Sequence, residues 1–217
     1  MIDWDSCVLW LDSRYFSESY WWDRSKYRND GVVHGAKWKE NGFYFDGNND
    51  YVNCGNGESF GITDAITIEA WIKADNWTNP NNAPIVDKWY DGSSRAYSFW
   101  AMPDGELRAE IANADGSDAQ LSETTTLFDM ATGTWYHVAV AWDKIIGNLK
   151  FYKNGKLLET LGSGGTSTMN TNNQPLQIGT DYNGDDNFKG IIAEVRIYNR
   201  ALSEEEIKIL YNLTYRR

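Results

Sequence analysis

Short runs of alternating apolar and polar residues, closed by clusters of Gly, Asn, Asp or Pro, recur from Cys7 to Tyr198, and a helical pattern appears only after them. A pleated strand turns successive side chains to opposite faces, so a chain of such runs must stack sheet on sheet to bury its apolar faces. Ile66 to Lys73 (I-T-I-E-A-W-I-K) alternates clearly, and Trp135 to Trp142 (W-Y-H-V-A-V-A-W) is apolar on both faces, as the middle of a sheet requires. Asn154-Gly155 is the strongest two-residue hairpin signal and joins Leu149–Tyr152 to Lys156–Leu161. Pro103-Asp104-Gly105 turns Tyr97–Met102 into Leu107–Ile111, and Asp46 to Asp50 separates Phe43–Phe45 from Tyr51–Val52.

Cys7 to Leu11, Ile85 to Trp89 and Leu176 to Gly179 read as further strands, with Val32-Val33 and Ala36–Trp38 as short extended pieces. Residues 12 to 35 read as a long irregular stretch from which Trp21 and Trp22 cover the sandwich. Residues 113 to 133 read as a polar loop anchored by Leu121 and Leu127. In the last strand, alternation sets Ile191, Ala193, Val195 and Ile197 on one face and Ile192, Glu194, Arg196 and Tyr198 on the other. Ser203 then opens a helix with Glu206 completing a capping box, and Ile207, Leu210 and Tyr211 form its apolar stripe. The expectation is an all-β, two-sheet antiparallel β-sandwich with a short C-terminal helix, one domain over residues 1–217.

The 11 Trp, 13 Tyr and 19 Gly suit twisted strands and tight turns. A formal net charge of −11 argues against nucleic acid, whose phosphates demand clustered Lys and Arg. No run approaches the ~20 apolar residues of a membrane span, and no signal peptide opens the chain, which reads as a module of a longer protein. Cys7 and Cys54 are too few for a zinc site; they form one disulfide if their strands are neighbours, or stay as two buried thiols. Sequons stand at Asn76-Trp77-Thr78 and Asn212-Leu213-Thr214.

F-D-G-N-N-D-Y-V (Phe45–Val52), I-T-I-E-A-W-I (Ile66–Ile72), W-Y-H-V-A (Trp135–Ala139), L-K-F-Y-K-N-G (Leu149–Gly155), L-Q-I-G (Leu176–Gly179) and the closing F-K-G-I-I-A-E-V-R-I-Y-N-R-A-L-S-E-E-E-I follow in order. With D-R-S-K-Y-R-N-D-G at Asp23–Gly31, they resemble the laminin-G-like (LamG) branch of the concanavalin A-like lectin/glucanase jelly rolls, over about Trp10 to Tyr211. The resemblance implies a jelly roll in a family of lectins, glycosidases, lyases, adhesins and spacers, so it speaks for fold before function. It also implies a structural Ca²⁺ near the F-D-G turn, held in part by an Asp of the last strand. Here that position is Ala193, which leaves Asp46, the Gly47 carbonyl and Glu194 as candidate ligands.

The glucanases of this superfamily carry E-x-D-x-E or E-x-D-x-x-E on one strand, setting nucleophile and acid at retaining distance. That pattern is absent, as is the Arg, Gln-x-His and Tyr set of the alginate-lyase relatives. Glu69 stands alone on its strand, and His137 reads as a buried, hydrogen-bonded core histidine. No catalytic residue is expected. Asp181, Asn183 and Asp185 alternate in D-Y-N-G-D-D-N like the start of a calcium loop, without the closing Glu of an EF-hand. Trp77, Trp89, Tyr90, Tyr97, Trp100 and Tyr182, with Asn183, are the candidates for stacking on a sugar ring and fixing its hydroxyls. Trp71, Trp135 and Trp142 read as core. The expected function is a non-catalytic glycan- or glycoprotein-binding adhesion module of an extracellular, cell-surface or virion-surface protein. The alternative is a structural spacer or assembly module without sugar binding, and an enzyme comes third.

Overall fold

The computed structural model describes residues 2–75, 83–90, 95–114, 120–123, 130–162 and 167–214. Its strands pair antiparallel around β7 (Ala65–Ala74), which lies between β12 (Tyr136–Asp143) and β16 (Lys189–Tyr198). With β1 (Cys7–Phe16), β13 (Asn148–Lys153) and β14 (Lys156–Gly162), one layer runs β1-β16-β7-β12-β13-β14. β5 (Gly42–Asp46) pairs the first half of β16, and β4 (Lys37–Lys39) flanks β5. The other layer is made of β11 (Gln120–Glu123), β10 (Leu107–Ile111), β9 (Tyr97–Ala101), β8 (Ala83–Lys88), β15 (Gln177–Ile178), β6 (Tyr51–Asn53), β3 (Gly31–His34) and β2 (Tyr20–Asp23), in that order. The ladder turns from one layer into the other where β2 meets β1, through the pairs Leu11↔Asp23 and Phe16↔Trp21 with a register shift between them.

Both layers bury the same core. Val52, Val86, Phe99 and Leu107 from one layer join Leu9, Ile68, Val140, Phe151 and Ile197 from the other. Each such side chain contributes about 1.5–3 kcal/mol on burial, and this core holds the β-sandwich together. Asn154 (φ 50°) and Gly155 (φ 72°) both adopt the left-handed backbone that a type I′ hairpin turn demands. Gly155 is needed twice, because an added Cβ there would lie 2.9 Å from Cβ of Tyr211 on the helix α1 (Glu204–Thr214).

The capping box forms as expected: Glu206 N donates to Ser203 Oγ (3.3 Å) and Ser203 N donates to Glu206 Oε2 (3.0 Å). α1 lays Ile207 and Leu210 on Ala139, Ala141, Tyr152 and Tyr198, on the side of the sheet away from the main core. Tyr211 stacks on Trp71 at 5.7 Å.

Several expectations are corrected. Residues 12 to 35 are not one irregular stretch, since β1 continues to Phe16 and β2 and β3 follow. In β2, Trp21 is buried and Trp22 is exposed and stacked on Tyr20, so aromatics on both faces hide the alternation. A strand, β11, lies inside the segment read as a polar loop; Leu127 is outside the described residues. In β16 the register passes from Ile192↔Ile72 to Glu194↔Trp71, leaving Ala193 as an extra residue. This bulge flips the phase, so Ile192, rather than Ile191, shares the core with Val195 and Ile197. Of the two readings of the cysteines, that of two buried thiols holds: Cys7 lies beside α1 and Cys54 in the main core, and both are free. Burial pushes both thiols up, Cys7 to about 12.

Candidate functional site

The loop from β15 to β16 is closed at its base by the bridge Thr180↔Asn187 and by Phe188 N donating to Gly179 O (2.9 Å). Inside it, Asp186 N donates to Asp181 Oδ1 (3.1 Å) and Gly184 N to Asp181 O (3.3 Å), so Asp181 organises the turn from within. Tyr182 is thereby raised to the rim, where it meets Tyr90, just beyond the end of β8, edge to face at 5.0 Å. Both rings are exposed, at 38% and 41%. Asn183 is exposed and donates to Asp185 Oδ2 (2.8 Å), and Trp89 is half-buried with the Arg95 guanidinium 5.6 Å from its ring.

Of the sequence candidates, then, the structure brings together Tyr90, Tyr182 and Asn183, with Trp89 adjoining. Tyr97 is a core residue: it is fully buried, and burial pushes its phenol well above the usual range. Trp100 is buried on the opposite face of β9 from Tyr97, with its indole Nε1 unpartnered, and offers no open ring face. Their places in a strand bury them, where the rim loop exposes Tyr182. Trp77 lies outside the described residues. Trp71 and Trp142 are core as expected, whereas Trp135 is half-buried just ahead of β12.

The calcium site implied by resemblance does not fit the residues present. Asp46 pairs with Lys189, five positions before Glu194 on the same strand, and Gly47 lies against the Lys189 side chain. Glu194 is committed elsewhere, to Arg196 and to the indole of Trp10. Ala193 is buried at the bulge against Gly42 and supplies no oxygen. Asp181 is buried while Asp185 is exposed and turned to Asn183. Among the described residues no three His, Cys, Asp or Glu side chains converge as metal ligands.

Sequence reasoning missed Asp87. This residue near the end of β8 is 1% exposed, and neither carboxylate oxygen has a hydrogen-bond partner. Burial drives its pKa well above the ordinary carboxylate range, and the charges of Asp181, Glu110 and Asp186 push the same way. The backbone N–H of Tyr182 pulls in the other direction without reaching hydrogen-bond geometry. The adjacent ammonium of Lys88 gives no relief. It sits in a cage of oxygens, Asn56 Oδ1 (2.9 Å), Gln174 O (2.6 Å) and Asn172 O (3.4 Å), where burial lowers it to about 8. The signal in the sequence was a charged pair, Asp87-Lys88, ending an apolar run.

His137 is the buried, hydrogen-bonded histidine expected, but the ionic network it belongs to, on β12, β7 and β16, was missed. Glu69 accepts from Arg196 and lies 2.5 Å from His137 Nε2, while Arg196 also donates to Glu194. Burial alone would raise Glu69, but Arg196 and His137 hold it down at about 2. Next to it, a cavity of about 580 Å³ lies between Phe16, Trp38, Arg14, Glu194 and the end of α1. Trp38 stacks on Phe16 at 3.8 Å.

The family model Laminin_G_3, described as the concanavalin A-like lectin/glucanases superfamily, matches residues 46–208. The chain belongs to this family. The adhesion G-protein coupled receptor V1 of Danio rerio is 23% identical to this chain over 155 residues, 68% of this chain and 2% of the receptor. Among solved structures, the receptor binding domain of botulinum neurotoxin D superposes with TM-score 0.73 at 20% identity, over 99% of this chain and 54% of that one. The serotype D ligand binding domain in complex with N-acetylneuraminic acid gives 0.74 at 20% identity, over 99% and 52%. The C/D mosaic receptor binding domain gives 0.75 at 18%, over 99% and 53%. The Laminin_G_3 chain thus spans about half of each toxin chain and a small fraction of the receptor, and at these identities the toxin structures speak for the fold. No helix among the described residues is long and apolar enough to cross a membrane.

Proposed function

We propose that this chain is a non-catalytic binding module, recognising a glycan or glycoprotein at the rim formed by Tyr90 and the 181–187 loop, within an extracellular or surface-displayed protein. The observation that carries this reading is the exposed Tyr90–Tyr182 pair, whose rings meet at 5.0 Å beside the amide of Asn183. An aromatic face stacks on the apolar C–H side of a sugar ring, and an amide fixes hydroxyls, so the pair and Asn183 supply both halves of sugar recognition. The similar proteins are an adhesion receptor and toxin receptor-binding domains, and that likeness supports the class of function. The buried carboxylates Glu69 and Glu194 are tied to Arg196 and do not face one another across an open groove, which supports binding without catalysis.

A glycan array probed with the purified protein tests this, followed by titration of the best ligand into Tyr182→Ala. Loss of binding with an unchanged melt supports the rim. The cavity beside Trp38 favours a second reading, since its ~580 Å³ and mixed polar and aromatic walls suit one or two sugar rings. Loss of binding in Trp38→Ala, with Tyr182→Ala unaffected, would move the site there. An array with no ligand at all would leave the spacer or assembly reading in possession.

A further inference from the structure

Three walls of the cavity beside Trp38 are held rigid from behind. Trp38 stacks on Phe16 at 3.8 Å and meets Phe43 edge to face at 5.8 Å, yet 39% of it stays exposed. The guanidinium of Arg14 is clamped by Asp12, with Nε donating to Oδ1 (2.9 Å) and Nη2 to Oδ2 (2.6 Å), while 70% of the side chain faces solvent. On the far wall the indole of Trp71 donates to Thr214 Oγ1 (2.6 Å), which donates in turn to Leu210 O (2.8 Å). The last turn of α1 is thereby pinned to the sheet. Walls fixed before a ligand arrives spare it the cost of ordering them.

The charges around the cavity are already matched. Arg14 is paired with Asp12, and the buried Glu194 accepts from Arg196 and from the indole of Trp10 (3.1 Å). A carboxylate brought in here would lie beside Glu194 with no cation to spare, and burying an unpaired charge is costly. The groups left for a ligand are the Nη1 amino group of Arg14, the exposed amide of Asn212 and the Ser13 hydroxyl, set against the open face of Trp38. We propose that this cavity is a second saccharide site, selective for a neutral pyranose and closed to sialic and uronic acids. The proposal deepens the reading of the cavity as a sugar site and rests on it. Trp38 takes the apolar C–H side of the ring, the planar donors of Arg14 and Asn212 bridge neighbouring hydroxyls, and the exposed Leu213 closes the far side. No residue is shared with the rim at Tyr90 and Tyr182, so the two sites act independently.

The test is saturation-transfer NMR of the chain with the methyl glycosides of glucose, galactose and mannose, and with N-acetylneuraminic and glucuronic acids as acidic arms. The strongest ligand is then titrated into Tyr182→Ala and Trp38→Ala. At least one neutral glycoside should bind the wild type and Tyr182→Ala alike, with the acids about tenfold weaker or more. Trp38→Ala should lose about tenfold in affinity. Should that variant fail to fold, Trp38→Phe keeps the stack on Phe16 and should bind several-fold more weakly. The proposal is overturned if no neutral glycoside binds, if an acidic sugar binds as tightly, or if affinity is unchanged in the Trp38 variant. Binding lost in Tyr182→Ala alone would overturn this site and leave the rim reading intact. A rim that binds nothing on the array leaves this result untouched.

Discussion

His137 and Glu69 face each other across β12 and β7, Nε2 to Oε2 at 2.5 Å, with no solvent reaching either. Glu69 is the hinge of a chain of charges that runs from His137, beside Trp71 and Tyr211, to Arg196 and Glu194, beside the indole of Trp10. Removing one member of a buried ion pair leaves its partner uncompensated. Glu69→Gln should therefore lower stability by about 3–5 kcal/mol, read as a fall in the urea midpoint at unchanged slope. A change under about 1 kcal/mol would show that Glu194 alone satisfies Arg196.

Asp87→Asn should act in the opposite sense. The folded-state pKa of Asp87 is raised, so its favourable contribution is complete below the unfolded value and is lost as pH rises through the folded one. At pH 7 the variant should melt above the wild type, and the gap should close on acidification toward pH 4. A variant that melts lower at pH 7 would mean that the carboxylate has a partner in solution.

Glu206 behaves in the reverse way. Hydrogen bonds from Arg200 hold it down at about 2, against some burial, with help from Ser203. Its contribution is present above the ordinary glutamate range and disappears as pH falls toward 2. Glu206→Gln should cost about 1 kcal/mol at pH 7 and flatten the acid limb between pH 4.5 and 2, followed by circular dichroism.

Gly155→Ala places a side chain at φ 72° and against Tyr211. Left-handed strain alone costs roughly 1–2 kcal/mol, and displacement of Tyr211 from Trp71 adds to it. The expected loss in a chemical melt is at least 1 kcal/mol. A neutral result would mean that α1 shifts freely over the hairpin.

Most of the sandwich was legible because β7, β12 and the β13–β14 hairpin carry their period and turn residues openly. β2 was not, since Tyr20, Trp21 and Trp22 are aromatic whichever way they point. The bulge at Ala193 was hidden too, because every residue from Gly190 to Tyr198 is buried and alternation loses its meaning there. The rim was half visible. Tyr90 and Tyr182 lie in loop sequence and are exposed, whereas Tyr97 and Trp100 lie in a run that reads as a strand, and both faces of that strand are buried. Asp87, Glu69 and Arg196 gained their importance from neighbours across strands, which no local pattern records.

The ammonium of Lys88 joins β8 to the backbone at Asn172 and Gln174 and to the side chain of Asn56. It is a positive ion on a covalent leash, holding segments together much as a free metal would but beyond the reach of any chelator. EDTA therefore strips nothing from that junction. What does discharge it is alkali: once the pH passes about 8, Lys88 gives up its proton and the cage loses its ion.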